Sequence, residues 1–168
     1  MKVARTLTAD DGHVNVPAVA DTLEDAEQIR QLKYRYLRTL DTKDWSGFEE
    51  CFLPEATADY AGLAFADRAA LVDYMRTNLG PEIVTMHHCH HPEIEVDGDT
   101  ATARWYLHDQ VISAAYEFRL EGAAFYDDTY RRTPEGWKVA HTGYTRTFEA
   151  TYSLKEAAGF KLKTRWDA

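Results

Sequence analysis

The six residues Met86-His87-His88-Cys89-His90-His91 hold four of the chain's seven histidines and one of its two cysteines. Imidazole and thiolate ligate metals, and imidazole is also the side chain best suited to moving protons near neutral pH. On a strand, side chains alternate, so His88 and His90 face one way and His87, Cys89 and His91 the other. Either set could begin a metal site, but no separate cluster supplies the remaining ligands. The expectation is therefore no metal, with at most one or two of these histidines functional and the others surface or packing residues. Strict alternation counted back from Ile94 and Val96 turns His88 and His90 inward and His87 outward.

The sequence has no Walker loop, GxGxxG, GxSxG or HExxH. Nucleotide, dinucleotide, serine-hydrolase and zincin chemistry thus lack local support, which leaves acid/base chemistry on His, Asp, Tyr and Arg. Asp41 stands at the edge of an apolar helical stripe, either as a surface carboxylate or as the partner of a base. Tyr36 lies within that stripe as a core tyrosine or a hydroxyl donor, about 140° around the helix from Asp41, so the two would flank a cavity. Arg146 shares an expected strand face with Tyr144 and Phe148, which suits a buried anion partner or an exposed rim. Tyr60, Tyr106 and Tyr126 can line a pocket or fill a sheet surface.

Positioning these groups falls to helices first and strands afterwards. Residues 1–20 lack periodicity and read as an arm, and residues 21–168 as one domain. Asp21 or Thr22 can cap a helix whose stripe is Leu23, Ala26, Ile29, Leu32, Tyr36, Leu37 and Leu40. Asp44 can cap a short helix carrying Trp45, Phe48, Cys51 and Phe52 and stopped by Pro54; Asp67 can cap a third with Leu71, Val72, Met75 and Leu79, closed by Gly80-Pro81. A β-prone piece surrounds Ala58-Asp59-Tyr60. Strands then run from Ile83 to Val96 and from Thr100 to Ser113 about an Asp97-Gly98-Asp99 turn, and from Ala123 to Arg132 and Trp137 to Phe148 about Thr133-Pro134-Glu135-Gly136. On the second strand Trp105, Leu107 and Val111 share one face and Arg104, Tyr106 and His108 the other. This is an α+β domain, its helices covering one face of a curved antiparallel sheet, with a pocket between the layers.

A chain of 168 residues, 45% hydrophobic, fills one core rather than two. Its net charge of −9 disfavours nucleic acid and anionic membranes as partners, and the expected pocket suits a small hydrophobic molecule. Two cysteines without CxxC spacing suit a reducing compartment. With neither a signal-like N-terminus nor a long apolar run, the expected location is cytoplasmic.

The segments Lys33-Tyr34-Arg35-Tyr36-Leu37-Arg38-Thr39-Leu40-Asp41, Met86-His87 with Pro92-Glu93-Ile94, Arg104-Trp105-Tyr106-Leu107, Ala124-Phe125-Tyr126, Thr142-Gly143-Tyr144-Thr145-Arg146 and Phe148-Glu149 resemble the bile acid 7α-dehydratases in order and spacing. More distantly the chain is similar to scytalone dehydratase and hexachlorocyclohexane dehydrochlorinase, all of the SnoaL-like superfamily that includes nuclear transport factor two. The resemblance implies a cone-shaped, cystatin-like barrel, a homotrimer, and a lyase without metal or organic cofactor. It assigns Asp41 and His87 to a catalytic dyad, Tyr36 to a catalytic pocket tyrosine, and Arg146 and Tyr60 to substrate binding, with Tyr106 and Tyr126 as further pocket candidates. Inward His87 then requires a bulge or bend near Pro92. The implied reaction is loss of water from a hydroxylated polycyclic ketone such as a 7α-hydroxy-3-oxo-4-ene steroid or bile acid, with His87 as base. Isomerisation or dehydrohalogenation by the same base, and non-catalytic ligand binding, are the alternatives.

Overall fold

The computed structural model describes residues 16–167. Helix α1 spans Val16–Thr42, so 16–20 are helical and only 1–15 of the expected arm lie outside the described residues. Pro17 is compatible with this earlier start, because a first-turn N–H has no intrahelical acceptor to lose. The buried stripe of α1 is Ile29, Leu32, Tyr36, Leu37 and Leu40, while Leu23 is exposed. Its end is a Schellman closure: the amide of Lys43 donates to the carbonyl of Leu40 and that of Asp44 to the carbonyl of Thr39. Lys43 accordingly takes a left-handed φ of 60°, a place usually given to glycine.

Asp44 caps the short helix α2 (Trp45–Glu49) by accepting from the Gly47 amide, and Asp67 caps α3 (Arg68–Asn78) through the Ala70 amide. Strand β1 (Phe52–Tyr60) takes in Phe52, which sequence patterning gave to the short helix, and Pro54, which it read as that helix's stop. Pro54 is tolerated because the pairing of β1 is interrupted between Phe52 and Thr57, where the missing N–H breaks no ladder bond. A turn at Ala61-Gly62 leads into β2 (Leu63–Phe65), and β3 (Val84–Asp97), β4 (Thr100–Ser113), β5 (Phe118–Thr133) and β6 (Gly136–Ser153) follow as a meander.

The six strands form one sheet in the order β2-β1-β6-β5-β4-β3. Pairing is antiparallel except between β1 and β6, which run parallel because the chain returns across the sheet after the helices rather than through a hairpin. Three further register shifts bend the long strands: between His90 and Glu93 of β3, between Ala123 and Ala124 of β5, and between Thr129 and Tyr130 of β5. The resulting curved sheet wraps α1, and the core of Tyr36, Phe48, Phe52, Trp105, Tyr126 and Val139 fills the space between them.

Beneath this core lies a buried polar knot. Lys33 donates to Asp128 at 2.8 Å, and Tyr130 and Thr142 each donate to the same carboxylate at 2.7 Å. Burial lowers the Lys33 ammonium pKa, and the Asp128 charge opposes that shift. The ammonium also lies 3.4 Å from the ring centre of Tyr126 and 4.5 Å from that of Tyr36. No described helix is long and apolar enough to cross a membrane.

Candidate active site

The last turn of α1 presents Asp41 to the inward face of β3. His87 Nδ1 lies 2.6 Å from Asp41 Oδ1, the His87 backbone amide donates to Asp41 Oδ2 at 2.9 Å, and Thr85 Oγ1 donates to Oδ1 at 2.8 Å. An ionised carboxylate can only accept, so His87 Nδ1 is placed to donate to Asp41, and Nε2 is the ring nitrogen turned away from the carboxylate. Lys43 Nζ donates to Thr85 Oγ1 at 3.0 Å. Partial burial brings the Lys43 pKa down to about 8, against the pull of Asp41.

His87 faces inward because of a bulge. Between the pairs His90–Tyr106 and Glu93–Arg104, two residues of β3, His91 and Pro92, stand opposite one of β4, Trp105, so the parity that places Ile94 and Val96 inward is reversed before the bulge. Thr85, His87 and Cys89 then point toward the helix, while His88, His90 and His91 are exposed. Among the described residues no group of three or more His, Cys, Asp or Glu is arranged to hold a metal ion.

His87 of the pair, though not Asp41, forms part of the wall of an inner cavity of 330 Å³, lined on its polar side by Tyr36, Tyr60, Tyr126, Tyr144, Asp109 and Arg146. Tyr36 and Tyr60 hydroxyls are 2.7 Å apart. Burial holds the phenol pKa values of Tyr36, Tyr60 and Tyr126 well above their usual value, so all three remain protonated donors. A more open groove of 630 Å³ is lined by both Asp41 and His87, with Tyr34, Leu37, Arg38 and His90. Its volume is larger, but Tyr34 is its one tyrosine, whereas Tyr36, Tyr60, Tyr126 and Tyr144 all line the inner cavity.

Of the residues singled out from sequence, Asp41, His87, Tyr36, Tyr60, Tyr126 and Arg146 converge on this region. Tyr106 does not. It sits on the face of β4 opposite Trp105 and Leu107, packed edge-on against Phe125 at 4.9 Å and close to His91, so the alternation of the strand removes it from the cavity. Phe148 also departs from Arg146: the extra residue Thr147 in β6 leaves Phe148 half exposed and Arg146 inward.

Sequence reasoning missed Asp109, which forms a two-pronged ion pair with Arg146. The Asp109 carboxylate is 3% exposed, so this pair is interior and built in. Its parity was legible, since it follows Trp105 and Leu107 at spacing two, and a carboxylate on an inward face signals a partner. Gly122 is the glycine that the arrangement requires: a Cβ there would meet Arg146 Nη1 at 2.6 Å.

The family model for the SnoaL-like domain matches residues 21–143. Among solved structures, an NTF2-like protein of cystatin-like fold from Novosphingobium aromaticivorans is 26% identical, with a TM-score of 0.63 over 83% of this chain and 92% of its own. A candidate scytalone dehydratase from the same organism is 18% identical, with a TM-score of 0.74 over 80% of this chain and 91% of its own. The type 3 hexachlorocyclohexane dehydrochlorinase of Novosphingobium barchaimii is 15% identical, with a TM-score of 0.73 over 87% of this chain and 99% of its own.

Proposed function

The chain belongs to the SnoaL-like domain family, and from that premise we propose that it is a dehydratase that removes water from a hydroxylated cyclic ketone, with Asp41 and His87 as its general-base dyad. The observation that carries the reading is the 2.6 Å contact of His87 Nδ1 with a threefold-bonded Asp41, which leaves Nε2 as an acceptor at the wall of a cavity lined by hydroxyl donors.

In the proposed reaction His87 Nε2 takes the proton α to the substrate carbonyl. The electron pair moves onto the carbonyl oxygen, where Tyr36 donates a hydrogen bond, a contact that strengthens as charge develops. Return of that pair to carbon forms the new C=C bond and expels hydroxide from the β-carbon. The proton held on Nε2 completes the water. Asp41 stabilises the imidazolium between these steps. None of these steps requires a metal or an organic cofactor. The similar structures include proteins named for dehydration and for dehydrochlorination. The donor-rich wall favours hydroxide as the leaving group, since hydroxide needs a proton to depart and chloride does not.

The test is a panel of cyclic β-hydroxy-ketones and vinylogous ones, including a 7α-hydroxy-3-oxo-4-ene steroid, followed by ultraviolet absorbance of the conjugated product. Wild-type protein should produce enone or dienone from at least one member, and His87→Ala should produce none. Chloride release from chloro-ketones with no dehydration of any hydroxy-ketone would replace this reading with dehydrohalogenation.

A further inference from the structure

We infer that the cavity selects an uncharged substrate and excludes carboxylates, with the Asp109–Arg146 pair as the specificity device. This rests on the hydroxy-ketone reading above and sharpens its substrate class. An arginine in an apolar pocket ordinarily marks an anion subsite. Here Arg146 is the only Lys or Arg lining the inner cavity among the described residues, and its charge is already taken.

Both terminal nitrogens of Arg146 reach Asp109: Nη1 bonds Oδ1, and Nη2 bonds Oδ2 at 2.9 Å. Nε lies 3.4 Å from Glu149 on the rim side. The guanidinium stacks over the Tyr144 ring at 4.9 Å and passes above Gly122, where the missing Cβ leaves the space it occupies. Asp109 and His87 are direct cross-strand partners, so the carboxylate stands next to the proposed base. A substrate carboxylate would therefore meet the Asp109 carboxylate beside an arginine that is already paired. It would lose its hydration without gaining an unpaired cation. A ketone oxygen needs only a donor, which Tyr36 and Tyr60 supply.

The experiment compares two isosteric probes, 2-acetylnaphthalene and 2-naphthoate, by equilibrium titration at neutral pH. Wild-type protein should bind the ketone at least about tenfold more tightly than the carboxylate. Asp109→Asn frees Arg146 and should tighten 2-naphthoate by about tenfold or more, and adding Arg146→Gln should cancel that gain. Equal wild-type affinities, preference for 2-naphthoate, or binding of neither probe overturns the inference without any variant being needed. A folded Asp109→Asn protein with no gain in 2-naphthoate affinity overturns it as well. The readout is binding in the absence of turnover, so the selectivity can hold in His87→Ala even where the dehydration panel fails, and the two readings are judged separately.

Discussion

Replacing Asp41 by asparagine keeps the shape of the dyad and removes its charge, and the consequence follows from three hydrogen bonds. Asp41 accepts from His87 Nδ1 and Thr85 Oγ1 on Oδ1 and from the His87 amide on Oδ2. An asparagine has one acceptor oxygen and one NH₂ group, so it cannot satisfy all three. With its oxygen toward the ring, the NH₂ opposes the His87 amide at the 2.9 Å position, donor against donor. With the amide flipped, the NH₂ donates to Nδ1, moves the ring proton to Nε2 and leaves no base. The first arrangement forfeits a charge-assisted bond to the imidazolium, about 1.5–3 kcal/mol, or roughly 10- to 150-fold in rate. The second adds a tautomer penalty that can reach about 10⁴. The expected loss in kcat is therefore about 10- to 10⁴-fold, with KM changed by less than about threefold, because the group acts mainly in the transition state. An unsatisfied amide costs about 1–3 kcal/mol, a fall in Tm of about 2–12 °C for a chain of this size. Steady-state kinetics on the best substrate from the hydroxy-ketone panel measure the split. A kcat within about threefold of wild type, or a loss confined to KM, refutes the reasoning.

Further outcomes follow from the same geometry. Tyr36→Phe removes the donor 2.7 Å from Tyr60 and should lower kcat by about 10²-fold with a smaller change in KM, measured in the same assay. Lys33→Met leaves Asp128 buried without its cation and should destabilise the protein by about 3–5 kcal/mol in a urea titration. Lys43 gives a pH signature. Its folded pKa of about 8 lies below its ordinary 10.5, so the cost of holding its charge is complete below pH 8 and is relieved as pH rises from about 8 to 10.5. Wild-type stability should rise relative to Lys43→Met across that window in thermal melts, and a constant difference would contradict the assignment.

Much of this arrangement is legible in the order of the amino acids. Helical spacing from Ile29 to Leu40, the caps Asp44 and Asp67, and the turns at Gly98 and Gly136 are local signals, set by backbone chemistry within a few residues. What escaped depends on distant partners. Pro54 reads as a helix stop, and only the gap in pairing with β6 shows why it sits in a strand. The parallel β1–β6 contact and the extra residues of β3 and β6 are register choices with no local mark, yet they decide that His87 faces inward and Phe148 outward. Family resemblance selected His87 where simple alternation selected His88 and His90, and it required the bulge that lies between His90 and Glu93. Asp109 is the buried anion partner that Arg146 called for, and its spacing of two from Leu107 places it on the inward face, but the pairing of the two runs between strands and has no local mark in the sequence.

The most direct measurement of the central claim is proton abstraction itself, separated from any leaving group. The protein is incubated with 2-acetylnaphthalene in deuterated buffer near neutral pH, and deuterium entering the methyl group α to the carbonyl is followed by proton NMR. Exchange accelerated well above buffer by wild-type protein, and returned to the buffer rate by His87→Ala with its fold intact, is the result expected of His87 as the base. Equal exchange in the two proteins, or none above buffer in wild type once binding of the ketone is established, would contradict the account.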